Sequence, residues 1–393
     1  MMKKIFITGG TGFIGCRLAE VLCERQFEVV ALVRQWSRAV RLARLPIQMV
    51  HGDILNKESL CKAMKGCDVV FHCAVDNRVE GDLHRQTSAQ GTDNVMQVAK
   101  ELGVNRVVHL SSTAVFSYQA KPDTSTEEGK PNLSGDAYCD GKIESEKIAL
   151  RYFLDQGLPV TVLRPTIVYG PFGDYSVSTI DLIRKGRMVL VNGGWGTCNV
   201  LYVDNLVEAM LLAAEKDEAV GKIFHISDES PVTWKAFIEE HAHALGSTYL
   251  PLKEQTVEEI EQMRQYIKSQ VPSSFKQICN IISDRKTLKA LRSIPLVRRM
   301  ESLTRSVARI ILPMSIRGAL RRRMTPKAKP KSSHGATLAI PSPLSPPEVN
   351  MVTAFEQVRF SIEKAKNVLG YEPKIDFVEG MRRTKAWIQW ARL

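Results

Sequence analysis

Among the eight cysteines (Cys16, Cys23, Cys61, Cys67, Cys73, Cys139, Cys198 and Cys279) there is no CxxC pair and no Cys/His cluster of zinc-ligand spacing. That excludes a zinc module, makes a regular disulfide framework a poor fit, and leads us to expect reduced thiols and no metal site. A run of about 18 consecutive apolar residues is also missing, so no membrane-spanning helix is expected. The chain opens directly on a strand-like run, Lys3-Lys4-Ile5-Phe6-Ile7. This leaves no room for a cleavable leader and points to a cytoplasmic protein. Repeats of solenoid period are absent too.

A positive balance over the whole length is lacking, despite a formal net charge of +12. Residues 285 to 331 hold fifteen Lys/Arg against one acidic residue, Glu301, a local +14 that leaves the remainder near −2. The basicity is therefore one insert, and a nucleic-acid partner is not expected. With 393 residues, 44% hydrophobic and 24% charged, the chain has the composition of a folded protein of one large and one smaller domain.

Short apolar runs alternate with amphipathic stretches over the first half, as in βα units. Strands are predicted at Ile5 to Thr8, Glu28 to Val33, Gln48 to His51, Val69 to His72, Arg106 to Ser111 and Val160 to Leu163. Helices are predicted at Ile14 to Arg25, Lys57 to Met64, Gly91 to Leu102 and Tyr138 to Gln156. The expected fold class is α/β, a doubly wound parallel sheet spanning 1–170, with a smaller substrate domain over 171–393. A strand at Gly221 to Ser227 is expected to return towards the sheet. Gly170 to Gly173 and Gly193 to Gly196 read as loops; Val203 to Glu215, Trp234 to Leu245, Ser361 to Leu369 and Val378 to Trp390 read as helices. Residues 285–324 form the basic insert, and the proline-rich 325–347 reads as a mobile loop.

The strongest chemical signal is Thr8-Gly9-Gly10-Thr11-Gly12-Phe13-Ile14-Gly15, between the first strand and the first helix. A tight turn and close approach of backbone to a pyrophosphate leave no space for Cβ, and the helix N-terminus supplies amide hydrogens and positive dipole. Gly9, Gly12, Phe13, Ile14 and Gly15 are thus candidate dinucleotide contacts. After the second strand no acidic residue stands ready for a ribose 2′-hydroxyl. Arg34 is there instead, with Arg38 near, which suits a 2′-phosphate and favours NADP over NAD, although Arg34 also reads as an ordinary solvated charge. Asp53, in His51-Gly52-Asp53-Ile54-Leu55, suits either the adenine amine or the cap of the following helix.

In Tyr138-Cys139-Asp140-Gly141-Lys142 the spacing of four puts phenol and ammonium on one helix face. Such a lysine lowers the phenol's pKa and makes it an acid/base at neutral pH. Ser111-Ser112-Thr113 ends the fifth strand, where the ligand crevice of such a sheet lies, and a hydroxyl there can hydrogen-bond a reacting oxygen.

In this order the three elements resemble the extended short-chain dehydrogenase/reductases, the NAD(P)-dependent epimerase/dehydratase family with its Rossmann domain. Val69-Val70-Phe71-His72-Cys73-Ala74, Gly91-Thr92-Asp93-Asn94, Leu163-Arg164-Pro165, Val168-Tyr169-Gly170-Pro171, Tyr202-Val203-Asp204, and Glu363-Lys364-Ala365 with Leu369-Gly370-Tyr371 share the likeness. The resemblance implies Ser112 rather than Ser111 as catalytic hydroxyl, Tyr138 as acid/base and Lys142 as its partner. Ile54 and Ala74 fall at its cofactor positions, and Pro165 and Thr166 would line the nicotinamide pocket. It also implies a homodimer through the helices at Gly91 to Leu102 and Tyr138 to Gln156.

Departures bear on substrate. Asn199 stands where many nucleotide-sugar members carry a diphosphate-gripping arginine, Ser88 where asparagine is frequent, Gly141 where serine is, and Ser117 where glycine is. Loss of the arginine favours relatives resembling hydroxysteroid dehydrogenases, flavonol reductases and lipid-associated sugar epimerases, although Arg184, Lys185 or Arg187 are alternative phosphate ligands. Residues 296–323 interleave Leu296, Val297, Leu303, Ile310, Ile311 and Leu320 with arginines, a pattern suited to docking on an anionic membrane surface or to packing on the substrate domain. The leading expectation is hydride transfer between NADP or NAD and a hydroxyl/ketone small molecule, steroid-like, lipid-linked or sugar-derived. A sugar or nucleotide-sugar epimerase/dehydratase is the first alternative, and a non-catalytic NADP-binding sensor or scaffold the second.

Overall fold

A computed structural model of the chain describes residues 4–75, 82–116, 125–246, 253–256, 259, 262 and 358–393. The basic insert 285–324, with the docking segment 296–323, and the loop 325–347 lie outside the described residues, as does Ser117.

Seven parallel strands form the central sheet in the order β10-β6-β5-β4-β1-β2-β3. They are β1 (Lys4–Thr8), β2 (Glu28–Val33), β3 (Gln48–His51), β4 (Val69–His72), β5 (Arg106–Leu110), β6 (Val160–Pro165) and, at the edge, β10 (Ile223–Ile226). Their side chains alternate between two cores, as a sheet covered on both faces requires. Ile5, Ile7, Val29, Ala31, Val69 and Phe71 face one core with α1 (Phe13–Glu24) and α6 (Val203–Glu215). Phe6, Val30, Leu32, Val70, Val107 and Val162 face the other with α2 (Lys57–Met64), α3 (Asp82–Glu101) and α4 (Ala137–Gln156). Burying each such side chain contributes about 1.5–3 kcal/mol. The order reverses at β1, flanked by β4 and β2. A crevice therefore opens at the C-terminal ends of β1 and β4, the position of ligand sites in such sheets.

Beyond Pro165 the strands are too short for alternation to reveal. β7 (Ile167–Tyr169) pairs with β9 (Val200–Tyr202), and β8 (Val189–Val191) with β11 (Lys253–Gln255), both in parallel. Between β7 and β8 runs α5 (Asp174–Arg184), and α7 (Trp234–Ala244) follows β10. After the insert the chain returns through α8 (Glu363–Leu369) and α9 (Phe377–Ala391). Asn205 on α6 holds this return: its amide nitrogen donates to the Ile375 carbonyl at 2.7 Å, and its oxygen accepts from Lys374 and Ile375.

The expected start of α3 at Gly91 needs correction, because the helix begins at Asp82. Gly91 sits mid-helix where Ile54 presses against it: a Cβ would lie 2.4 Å from Ile54 Cδ1. The glycine serves helix–loop packing and starts nothing. Asp53 likewise does not cap α2. Asn56 does, accepting from Ser59 N at 2.9 Å, while Asp53 Oδ1 accepts from Leu55 N at 3.0 Å.

Gly9 has φ +73°, and a Cβ there would stand 2.8 Å from Ala74 N, a backbone atom that cannot swing aside. The left-handed conformation costs an L side chain about 1–2 kcal/mol and the overlap a similar amount. Gly9→Ala should therefore lose at least about 2 kcal/mol in chemical denaturation, and a neutral result would mean the turn relaxes freely.

Candidate active site

The glycine turn closes through Gly12 N donating to Gly9 O at 2.9 Å, and a Cβ on Gly15 would lie 2.4 Å from Gly9 O. Gly12 is the N-cap of α1. No side chain caps that end and no acidic residue occupies its first turn. The amides of Phe13, Ile14 and Gly15 thus lack a helical acceptor, and the positive end of the helix meets no carboxylate of its own. The turn after β7 leans on the same place: a Cβ on Gly173 would be 3.2 Å from the Phe13 ring.

At the ends of β2 and β3, Arg34 Nη1 lies 3.9 Å from Asp53 Oδ2, with both side chains about one-third exposed. Trp36, not singled out by sequence, stacks on His51 with ring centroids 6.2 Å apart. The Ile54 side chain is buried in the core and its carbonyl accepts from Asn94 at 2.9 Å. Ala74 N donates to Thr8 Oγ1 at 3.3 Å, which fixes the end of β4 beside the glycine turn.

Tyr138 enters the first turn of α4 because Asp136 caps that helix, accepting from Tyr138 N and Cys139 N, each at 3.0 Å. One turn on, Lys142 is buried and its Nζ donates to Leu110 O, the last residue of β5, at 2.7 Å. Ser112 follows that strand end. Its Oγ accepts from Ala114 N at 3.1 Å, and the hydroxyl acts to lower the pKa of the Tyr138 phenol. Three elements distant in sequence are thereby brought together. Ser111 is directed elsewhere, donating to Glu146 Oε2 at 2.8 Å in the interior. Thr113 Oγ1 donates to Pro165 O, and Thr166 Oγ1 to Ile226 O, each at 3.3 Å.

Burial raises the Tyr138 pKa, and the Ser112 hydroxyl opposes it. The Lys142 ammonium stands 6.0 Å from the phenol ring centroid and is engaged by the Leu110 carbonyl. Burial lowers Lys142 itself to about 8, with Cys73 and Glu146 pulling the other way. Sequence also passed over Tyr175, in the first turn of α5. Its pKa is raised by burial and next by Tyr138, which places a second phenol near the first.

Asn199 binds backbone with both ends of its amide. Nδ2 donates to Val358 O at 2.8 Å and Oδ1 accepts from Phe360 N at 3.3 Å. The segment so held packs Val358 and Phe360 with Val115, Phe116 and Ile143 in a small buried apolar core, whose members follow Ser112 and Lys142 in sequence.

Fold and site together define a dinucleotide-binding enzyme with a Ser/Tyr/Lys cluster at the carboxyl edge of its sheet. Residues 5–227 match the NAD dependent epimerase/dehydratase family, and the chain belongs to it. It is an enzyme of the extended short-chain dehydrogenase type, as the order of motifs implied. A farnesyl-dihydroquinoline-oxide ketoreductase of Stigmatella aurantiaca is 31% identical over 60% of this chain and 71% of its own. A 2-alkyl-3-oxoalkanoate reductase of Shewanella oneidensis is 29% identical over 59% of this chain and 63% of its own. The bovine (Bos taurus) decarboxylating sterol-4-alpha-carboxylate 3-dehydrogenase is 31% identical over 60% and 68%. Among solved structures, the UDP-glucose 4-epimerase of Thermotoga maritima superposes with TM-score 0.66 at 17% identity, covering 99% of this chain and 100% of that one. That likeness concerns the fold. No described helix is long and apolar enough to cross a membrane, and no metal-binding cluster occurs among the described residues.

The lysine shift has a sign. Between about pH 8 and 10.5 the unfolded chain holds the Lys142 proton more tightly than the folded one, so this group's contribution to stability rises with pH across that window. Lys142→Met should remove that slope, a difference of up to about 3 kcal/mol in denaturant titrations at the two ends. Parallel pH profiles for the two proteins would contradict the buried lysine.

Proposed function

We propose that this chain transfers a hydride between NADP and a ketone or secondary alcohol on a largely hydrocarbon molecule. The observation that carries the proposal is the meeting of Ser112, Tyr138 and Lys142 at the end of β5. The uncapped α1 terminus and its glycine turn fit a pyrophosphate, and Arg34 beside Asp53 fits the adenosine end with its 2′-phosphate. A bound nicotinamide supplies the hydride donor or acceptor. Tyr138 gives its proton to the substrate oxygen as that oxygen gains charge, and takes it back in oxidation. With substrate bound, Ser112 turns its one hydroxyl hydrogen to the same oxygen. Lys142, held by Leu110 O with its ammonium 6.0 Å from the Tyr138 ring centroid, would stabilise the phenolate and bind the ribose of the cofactor.

Two observations support the substrate class. Asn199, which stands where the family resemblance expects a diphosphate-gripping arginine, spends both ends of its amide on the backbone of Val358 and Phe360. The 2-alkyl-3-oxoalkanoate reductases and sterol-4-alpha-carboxylate dehydrogenases among its relatives act, by their names, on a ketone or hydroxyl within a hydrocarbon framework. A sugar epimerase or dehydratase reading shares the Ser/Tyr/Lys cluster and differs in regenerating its cofactor, so net consumption of NADPH separates the two. Docking of residues 296–323 on an anionic surface would bring the enzyme to substrates of this kind.

Tyr138→Phe should lower turnover of a 2-alkyl-3-oxoalkanoate with NADPH by about a thousandfold while NADPH affinity holds. Full activity in that variant would end the acid/base assignment. Arg34→Asp should weaken NADPH binding by tenfold or more, about 1.4 kcal/mol, in calorimetry, and leave NADH binding less affected. Equal losses for both cofactors would remove the 2′-phosphate role.

A further inference from the structure

Behind the site lies a second polar cluster. Arg164 and Glu146 form a forked pair, Nε to Oε2 at 3.0 Å and Nη2 to Oε1 at 2.5 Å, and Ser111 Oγ donates to the same Oε2 at 2.8 Å. Arg164 is 2% exposed, Glu146 4% and Ser111 2%. Each member adjoins a residue of the site. Ser111 precedes Ser112, Glu146 is one turn beyond Lys142 on α4, and Arg164 precedes Pro165 on β6. The cluster reaches further: Arg164 lies over the Phe116 ring at 5.1 Å, its Nη1 donates to Glu127 O at 3.5 Å, and Glu127 Oε1 accepts from His225 N on β10 at 2.7 Å.

Taking both charges out of water is unfavourable, and an apolar pair of equal volume would serve the fold as well or better. What the fork provides that hydrocarbon does not is direction. Two parallel N–H···O bonds fix the angle and depth of α4 against β6, and the Ser111 hydroxyl fixes the end of β5 to the same carboxylate. We propose that Ser111, Glu146 and Arg164 are positioning residues that set the distance between the Ser112 hydroxyl just after β5 and the Tyr138 phenol on α4. The proposal rests on the reading of Ser112, Tyr138 and Lys142 as the reacting set. The three act through those groups and do not touch substrate.

The test uses the full-length protein in two arms. In the kinetic arm, with a 2-alkyl-3-oxoalkanoate and NADPH, Ser111→Ala leaves the ion pair intact and should lower kcat about tenfold while KM and NADPH Kd stay within about threefold. Glu146→Gln should lower kcat about a hundredfold. The paired Glu146→Gln/Arg164→Met variant, which removes both buried charges, should regain thermal stability without regaining kcat. The second arm needs no substrate. In protein labelled with 3-fluorotyrosine, the Tyr138 fluorine resonance, assigned by its loss in Tyr138→Phe, should titrate at higher pH in Ser111→Ala than in the unaltered chain. Ser112→Ala should give the same displacement, since the Ser112 hydroxyl is what lowers this phenol. If the unaltered chain reduces no ketone, the functional reading fails and the fluorine arm still judges the network. Unchanged kcat or Tyr138 titration in Ser111→Ala, or kcat recovered together with stability in the paired variant, would overturn the proposal and leave the cluster to the fold.

Discussion

The bond from the buried Lys142 ammonium to the carbonyl of Leu110 is the interaction on which the arrangement turns. A lysine kept from water is unfavourable unless its charge is met, and here it meets the last carbonyl of β5, where the ladder ends. That choice docks α4 onto the strand end from which Ser112 emerges. The Asp136 cap then sets Tyr138 in the first turn of the helix, one turn before Lys142. The glycine turn and the strand reversal at β1 lie at this same carboxyl edge of the sheet.

Much of the sheet was legible because both of its cores are apolar. A strand buried on two faces reads as a continuous run, and Glu28 to Val33 and Val69 to His72 fall where those runs are. What was misread has local causes. Gly91 looks like a helix boundary by propensity, but its missing side chain makes room for Ile54, information that belongs to packing. The strands β7, β8, β9 and β11 are three residues each, shorter than any window in which alternation can be counted.

The site was readable where chemistry forces spacing and unreadable where it forces only proximity. Tyr138 and Lys142 lie on one helix face and Ser112 at a strand end, both visible in one dimension. Glu146, Arg164 and Tyr175 carry no such mark. The signals available were a charged residue within the apolar β6 and an acid one turn after the lysine, and neither shows what it pairs with. Asn199 was legible as a missing guanidinium. That its amide fastens Val358 and Phe360 follows only from a return of the chain after a long insert.

The most direct measurement follows an isotope. The enzyme is incubated with NADPH carrying deuterium at the transferable C4 position and a 2-alkyl-3-oxoalkanoate, and the product is analysed by mass spectrometry. Hydride transfer to a ketone requires one deuterium on the new carbinol carbon and a matching loss from the cofactor. A product without cofactor-derived deuterium, or turnover with the cofactor pool unchanged, would contradict net reduction and move the protein to chemistry in which the cofactor is regenerated in place.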